Sequence, residues 1–320
     1  MPSSDHSNIS SPEGGLISIV VPMYNEAQIV DRFFDAIIEV LNELKMPWEI
    51  VCVKDGSSDE TQNRLLSRRE AEPRIRIVSL SRNFGKDIAL TAGLDFARGE
   101  AVIPIDADLQ DPPHLIPEFI EKWKAGFDVV YGSRISRDGD SASKKASAAL
   151  FYRLHNYISE TKLPVDTGDF RLMDRKVVDA IKRLPERNRF MKGLFAWTGF
   201  KQASIEYARE SRAAGHTKWS YWRLWNFALD GITSFSTLPL RVWSYVGAFL
   251  AIMSGLYGSF IIVKTLIYGV DVPGYASIMV AVLFVGGIQL ISLGVIGEYI
   301  GRIYIETKQR PLYVVADVQD

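Results

Sequence analysis

The sequence predicts an α/β protein, a mostly parallel sheet flanked by helices, that ends in a pair of membrane-spanning helices. Two observations carry that prediction. Between Leu16 and Arg134, short apolar runs of strand length alternate with helical segments, the pattern of right-handed βαβ units. Beyond Arg241 the pattern changes: no charged side chain occurs from Val242 to Val263, and none from Val272 to Gly297. Each run reaches the roughly 20 residues a helix needs to cross a bilayer. A pair of buried core helices is the soluble alternative. Two such runs side by side at the end of a charged chain favour the membrane.

The elements follow in order. Residues 1–15, MPSSDHSNISSPEGG, have no apolar core; they read as a disordered tail and not as a signal peptide. Asn8-Ile9-Ser10 is a chance-level match to the glycosylation pattern. LISIVVPMY, WEIVCV, IRIVSLS, EAVIPIDAD and FDVVYGSR read as five strands. VDRFFDAIIEVLNEL, ETQNRLLSRREA, KDIALTAGLDFA and PHLIPEFIEKWKAG read as the helices between them. Residues 16–215 form one catalytic-looking domain, whose second half is mixed. There SASKKASAALFYRLHNYI reads as a basic amphipathic helix, VVDAIKRLP as a helix, and KGLFAWTGF as a turn into a strand. In 216–240, Trp219, Trp222, Trp225 and Leu229 recur at helical spacing just before the first apolar run. That position favours an interfacial helix over an ordinary core stripe. Residues 241–301 hold the two spans, joined by YGVDVPG, and 302–320 form a C-terminal tail.

Composition narrows the function. With 47% hydrophobic residues a buried core forms readily, and a net charge of -1 gives no global case for nucleic acid. Cys52 is the sole cysteine, so neither an internal disulfide nor a thiolate cluster can form; within EIVCV it reads as a core residue. Arg241 precedes the first span, and Arg302, Lys308 and Arg310 follow the second, against only Lys264 and Asp271 near the turn. The positive-inside rule then puts both ends, and the α/β domain, in the cytoplasm.

Sheets of this kind bind ligands at the carboxyl ends of their strands. PMYNE, KDGSSD, SRNFGK and DADLQD all fall there. In PIDADLQDPP, an extended backbone points Asp106, Asp108 and Gln110 to one side. Two carboxylates and an amide oxygen are hard ligands that suit Mg²⁺ or Mn²⁺, with phosphate oxygens completing the octahedron. A lone D-x-D is frequent by chance, and a solvated acidic turn is the plain alternative. Its place after a strand of a βαβ array favours a metal–diphosphate site. Asp111, on the other face and before Pro112-Pro113, reads as a helix cap.

VVPMYNE, VKDGSSDET, DADLQDPP, YGSR and TGDFRL together resemble the family 2 glycosyltransferases of the GT-A fold. AGHTKWSYWRLWNFALDGITSFS, the two spans and ETKQRPLY narrow the resemblance to the polyprenyl-phosphate glycosyltransferases, the group of the bactoprenol glucosyltransferases and dolichol-phosphate mannose synthases. It covers nearly the whole chain beyond residue 15. The resemblance implies that Pro22, Tyr24, Asn25 and Glu26 line the nucleotide pocket and that Asp55 accepts a hydrogen bond from the base. Relatives often carry an acid just before that aspartate; here Lys54 stands there. It implies that Lys86 approaches the donor, that Asp106 and Ala107 meet the nucleotide sugar or metal, and that Asp108 ligates the metal and serves catalysis, helped by Gln110. Asp169 matches the position of the catalytic base; a structural pairing with Arg171 is its alternative. His155 and His216 are weaker candidates for the base.

The implied acceptor is a lipid phosphate. Such a monoester, with a second pKa of about 6, is already largely dianionic at neutral pH and is a competent nucleophile. It needs cations to position it: Arg134, Arg171, Arg212 and Lys218 are the candidates, with Lys145 on the basic helix a weaker one. The expected reaction is one in-line displacement at the anomeric carbon, with metal and Lys86 neutralising the leaving diphosphate. It inverts, turning an α-linked nucleotide sugar into a β-linked polyprenyl-phosphate sugar. Glucose from UDP-glucose onto an undecaprenyl-type phosphate is the first expectation, for cell-envelope glycan modification at the cytoplasmic membrane; mannose, galactose or N-acetylglucosamine stand as alternatives. A processive polysaccharide synthase is disfavoured, because ERNRFM stands where Q-x-x-R-W is usual and only two spans follow. A non-enzymatic nucleotide-sugar binding or transport module is disfavoured because the spans offer only Gln289 and small hydroxyls to a polar cargo. Self-association is left open.

Overall fold

The computed structural model describes residues 15–134, 153, 156, 167–187, 189–207, 238–268 and 274–320. Strands β1 (Ile17–Met23), β2 (Trp48–Lys54), β3 (Ile75–Leu80) and β4 (Ala101–Pro104) form the parallel centre of the sheet, in the order β4-β1-β2-β3. They are nearly continuous apolar runs because both faces are covered. Ile17, Ile19, Val21, Ile50 and Cys52 face one apolar layer, while Val20, Val51 and Val53 face the other. On the first side pack α1 (Val30–Glu43), through Phe33, Phe34 and Ile37, and α2 (Thr61–Ala71), through Leu65. On the second side packs α3 (Lys86–Phe96), through Ala89, Leu90 and Leu94. Gly93 of α3 lies against the sheet so closely that a Cβ there would fall 2.2 Å from Val20.

Beyond β4 the sheet becomes mixed. A 3-10 turn (Pro113–Leu115) leads into α4 (Ile116–Lys124), then β5 (Val129–Arg134). β6 (Thr167–Asp174) inserts between β4 and β5, antiparallel to both. β7 (Gln202–Tyr207) closes that edge, parallel to β5. Between β6 and β7 lie α5 (Arg175–Lys182) and α6 (Met191–Trp197), both on the α3 side of the sheet. KGLFAW is therefore helix, and the turn comes only at Gly199, whose φ is 67°. Met191, Leu194 and Phe195 recur at helical spacing and are buried, which outweighs the short length of the segment.

Two long helices follow, α7 (Leu238–Tyr268) and α8 (Tyr275–Thr307). Both expose large apolar side chains, among them Phe249, Leu256, Leu290 and Ile300. Among the described residues one stretch, Phe284–Thr307, is long and apolar enough to cross a membrane, with a mean hydropathy of 1.4. The chain then returns to the sheet. β8 (Val315–Gln319) pairs antiparallel with β3, so the end of the expected tail is a strand that covers an open edge. The basic helix apart from Arg153 and Asn156, the tryptophan-rich segment as far as residue 237 and residues 1–14 lie outside the described residues.

Candidate active site

The carboxyl ends of β1 and β2 are tied together by short side chains. Asn25 takes a left-handed backbone, φ 55°, which its side chain tolerates better than most. Its Oδ1 accepts the Ser58 N–H at 2.9 Å, and its own N–H donates to Ser57 Oγ at 3.1 Å. Glu26 N–H donates to Thr61 Oγ1 and Ala27 N–H to Asp59. This lattice fixes PMYNE against DGSSDET and leaves Tyr24 42% exposed at the rim, where an aromatic face can meet a nucleobase.

Asp55 is buried at the end of β2, and both carboxylate oxygens are engaged. They accept the Phe84 N–H at 2.7 Å and the Gly85 N–H at 2.8 Å. Gly56 beside it, φ 64°, could carry no Cβ, because one would fall 2.3 Å from Asn83 N. Asp55 thus shapes the turn that launches α3 and aims its first residue, Lys86, over the sheet.

Lys86 is the hub of the site. Its Nζ lies 2.7 Å from Asp106 and 2.7 Å from Asp169. The topology explains the meeting. β6 runs antiparallel to β4, with Ala101 opposite Asp174; continuing that register five residues along both chains brings 106 opposite 169. Partial loss of water around the ammonium pulls the Lys86 pKa down, but the two carboxylates outweigh it and hold the ammonium charged well above its usual range. Burial pushes Asp169 up, yet Lys86, Lys192 and Arg171 reverse this and hold it ionised, well below the carboxylate range. For Asp106 burial wins: with Asp169 and Asp111 nearby, its pKa is raised despite Lys86.

The D-x-D segment is not an extended run. β4 ends at Pro104, and residues 107–109 turn, with Leu109 at φ 55°. The alternation that was expected to align Asp106, Asp108 and Gln110 therefore does not hold. A tight turn gathers them instead, with Gln110 N–H donating to Asp108 at 3.2 Å. Ala107 is buried beneath. Among the described residues no group of three or more His, Cys, Asp or Glu is placed to hold a metal. The turn offers two hard carboxylates and an amide. That set fits Mg²⁺ or Mn²⁺ shared with a diphosphate, which need only one or two protein carboxylates; it does not fit an all-protein cage.

Asp111 is no helix cap. The residue before the 3-10 turn is Pro112, and no side chain caps it. Asp111 is buried and accepts from Tyr207 Oη and, at 3.3 Å, from Arg134 Nη2. Arg134 also donates to Tyr207 Oη at 3.2 Å. Burial pulls Arg134 down and Asp111 more than restores it, so the guanidinium stays charged. Arg134 in turn crowds Gly168, where a Cβ would fall 2.8 Å from its Nη2. Arg171 lies on the other side of that glycine, donating to Gly168 O at 2.8 Å and stacking over Phe195 at 4.0 Å. Burial brings its pKa down to about 10, with Asp169 opposing. Of the two arginines expected to receive a phosphate, Arg171 thus holds the backbone just before Asp169, and Arg134 is held by Asp111 and Tyr207.

The structure therefore brings Lys86, Asp106, Asp108, Gln110 and Asp169 to one strand-end cleft, with Pro22, Tyr24, Asn25, Glu26 and Asp55 along its β1–β2 side. Arg212, Lys218, Lys145, His155 and His216 lie outside the described residues. Two participants had no signal in the sequence. Tyr207 ends a strand that reads like any other, and Lys192 sits in a segment taken for a turn.

Comparison with known proteins identifies the family. Residues 18–182 match the family described as glycosyl transferase family 2, and residues 238–303 match the GtrB C-terminal hairpin. An uncharacterised glycosyltransferase of Synechocystis is 59% identical over 94% of this chain and 95% of its own. The bactoprenol glucosyl transferase of Shigella phage SfV is 52% identical over 93% of this chain and 97% of its own. Mannosyl-3-phosphoglycerate synthase from Rubrobacter xylanophilus resembles it more distantly, at 19% identity and a TM-score of 0.47 over 68% of this chain and 71% of that one. With a strand-end acidic cleft, a family match over half its length and full-length relatives of the same kind, this chain belongs to glycosyl transferase family 2.

Proposed function

We propose that the chain transfers a hexose, glucose first, from a nucleotide sugar to a polyprenyl phosphate of the undecaprenyl type at the cytoplasmic membrane. The observation that carries the reading is the Lys86 bridge between Asp106 and Asp169, set in a chain 52% identical over nearly its full length to a bactoprenol glucosyl transferase. UDP-glucose is the favoured donor. Tyr24 and the Asn25–Glu26 turn receive its nucleotide, and Asp55 keeps the turn before Lys86 in place.

Asp108, with Asp106 and Gln110, would hold Mg²⁺ or Mn²⁺, which supplies positive charge to the donor diphosphate. Lys86 adds a second positive charge on the same side and neutralises the diphosphate as it leaves. Asp169 is ionised and faces the acceptor side. It takes a proton from an incoming phosphate monoanion, or orients the dianion for in-line attack on the anomeric carbon. The anomeric C–O bond to the diphosphate breaks as the bond to the lipid phosphate forms, so the configuration inverts. Both apolar helices, α7 and α8, would span the membrane, with the α/β domain on the cytoplasmic face where the positive flanks place it.

A donor panel tests the reading. Purified full-length protein with undecaprenyl phosphate and Mg²⁺ or Mn²⁺ is offered radiolabelled UDP-glucose, UDP-galactose, UDP-N-acetylglucosamine and GDP-mannose. Label should enter the lipid fraction fastest from UDP-glucose. Lipid labelling that is faster from another donor overturns the choice of sugar, and no labelling from any donor overturns the reaction.

A further inference from the structure

The uncharged run of α8 ends at Gly297, but the helix continues to Thr307, about 15 Å farther along its axis. Those turns carry Glu298, Arg302 and Glu306, with Glu298 and Arg302 paired at 2.8 Å. They form a polar stalk between the apolar part of α8 and the α/β domain. ETKQRPLY, from Glu306 to Tyr313, ends the stalk, and none of its residues belongs to the cleft described above.

Each end of this motif is bonded to a different arm of the site. Glu306 accepts the Arg187 N–H at 2.8 Å, and the Arg187 guanidinium donates to Arg310 O. Arg187 lies in the link from α5 to α6, four residues before Met191. Buried Arg189 stiffens that link by donating to Leu184 O at 2.9 Å. α6 then places Phe195 under the Arg171 guanidinium at 4.0 Å, and Arg171 donates to Gly168 O at 2.8 Å, one residue before Asp169. Past Thr307, Gln309 at φ 47° and then Pro311 turn the chain back. Tyr313 Oη donates to Asp95 of α3 at 2.8 Å, and Val314 O accepts the Ser81 N–H at 2.9 Å. Lys86 is the first residue of α3 and lies five residues after Ser81. One stalk thus braces both the helix that carries Lys86 and the helix behind Asp169.

We propose that Glu306 and Tyr313 are positioning residues: their contacts with Arg187 and Asp95 fix the height and tilt of the Lys86–Asp169 cleft over the apolar part of α8, so that a phosphate at the membrane surface meets Asp169. This rests on the polyprenyl-phosphate reading above. A soluble nucleotide sugar reaches the cleft at any tilt. The phosphate of a bilayer-embedded acceptor is confined to the headgroup layer by its hydrocarbon chain, so it meets only a cleft held at the right height. Neither residue touches a reacting atom. Losing a brace therefore impairs transfer to a lipid in a bilayer and spares transfer to a lipid in a detergent micelle, which adapts to the cleft.

Full-length wild type, Glu306→Ala, Glu306→Gln, Tyr313→Phe and the double variant Glu306→Ala/Tyr313→Phe are compared with UDP-glucose and undecaprenyl phosphate, in detergent and in proteoliposomes. In detergent, kcat and KM for UDP-glucose should stay within about threefold of wild type. In proteoliposomes the transfer rate should fall about 10-fold in Glu306→Ala and in Tyr313→Phe and about 100-fold in the double variant, a loss that a misplacement of about 1 Å suffices to cause. Glu306→Gln keeps an oxygen for the Arg187 N–H and should retain the wild-type rate in both media. Hydrogen exchange over residues 187–195, read by mass spectrometry, should quicken in Glu306→Ala and not in Glu306→Gln. Equal losses in detergent and proteoliposomes, or no loss in either, overturn the positioning role, and unchanged exchange in Glu306→Ala overturns the brace behind it. If wild type itself puts no hexose on undecaprenyl phosphate in either medium, the functional reading falls instead.

Discussion

Asp106, just past the end of β4, and Asp169, in the oppositely directed β6, meet on one ammonium, Lys86 Nζ, 2.7 Å from each. The two carboxylates are thereby held at a common distance from one charge. The arrangement depends on β6 inserting antiparallel beside β4, since a parallel neighbour would carry Asp169 to the far end of the sheet.

Replacing the bridge should cost activity more than stability. Lys86→Met leaves two carboxylates without their shared cation and, under the proposed reaction, removes a charge from the leaving-group side. kcat/KM for sugar transfer should fall by about 100- to 1000-fold. The Lys86 side chain is 45% exposed, so water can partly solvate the two acids and the thermal midpoint should move little. A large drop in midpoint with near-normal kcat/KM would show that the bridge is structural only.

Asp111 separates two readings by magnitude. A helix cap lost to alanine costs about 1 kcal/mol. A buried partner of Arg134 and Tyr207 costs more, about 3–5 kcal/mol, because the guanidinium is left buried and unpaired. Chemical denaturation of Asp111→Ala should give the larger value, and Tyr207→Phe a smaller loss of the same kind.

Asp87 should make stability depend on pH. Burial, with the Asp169 carboxylate second, raises its pKa to about 7, against about 3.9 in an unfolded chain. Between those values the folded state holds the proton more tightly, so stability is greatest below about pH 4, declines as pH rises to about 7, and is level above. Asp87→Asn lacks this decline. Its thermal midpoint relative to wild type should therefore rise from pH 4.5 to pH 7.5. A midpoint difference that does not change with pH contradicts the assignment.

The C-terminal strand should matter more than its charge. Asp320 pairs with buried Arg76 at 2.6 Å but is 56% exposed itself, and Arg76 keeps Glu49 and Phe96 O as partners. Asp320→Asn should cost no more than about 1 kcal/mol. Deleting residues 315–320 also strips β3 of its antiparallel neighbour and should lower the thermal midpoint clearly further. Equal effects of the two changes would mean that β8 contributes little beyond that one carboxylate.

Much of this was legible in the sequence, and the exceptions have physical reasons. The β1–β4 core could be read because both faces are covered, which makes apolar runs such as IRIVSL unmistakable. The strand-end location of Tyr24, Asp55, Lys86 and Asp106 followed from βαβ topology. The D-x-D geometry did not, because a single left-handed residue, Leu109, turns an alternating strand into a loop and no local pattern announces it. Asp111 before two prolines looks like a cap; its actual partners lie 23 and 96 residues away. β8 was missed because VADVQ is short and half-exposed, so its pairing depends on the edge of β3 and not on its own composition.

The most direct measurement follows glucose into lipid. Full-length wild type and Asp169→Asn are given radiolabelled UDP-glucose, undecaprenyl phosphate and Mg²⁺ or Mn²⁺, and kcat is read from label in the lipid fraction. Wild type should form the lipid-linked sugar, and Asp169→Asn should lose about 100- to 10,000-fold in kcat while its KM for UDP-glucose changes little. Wild-type kcat in Asp169→Asn would contradict the central claim, that transfer takes place at the junction of Lys86, Asp106 and Asp169.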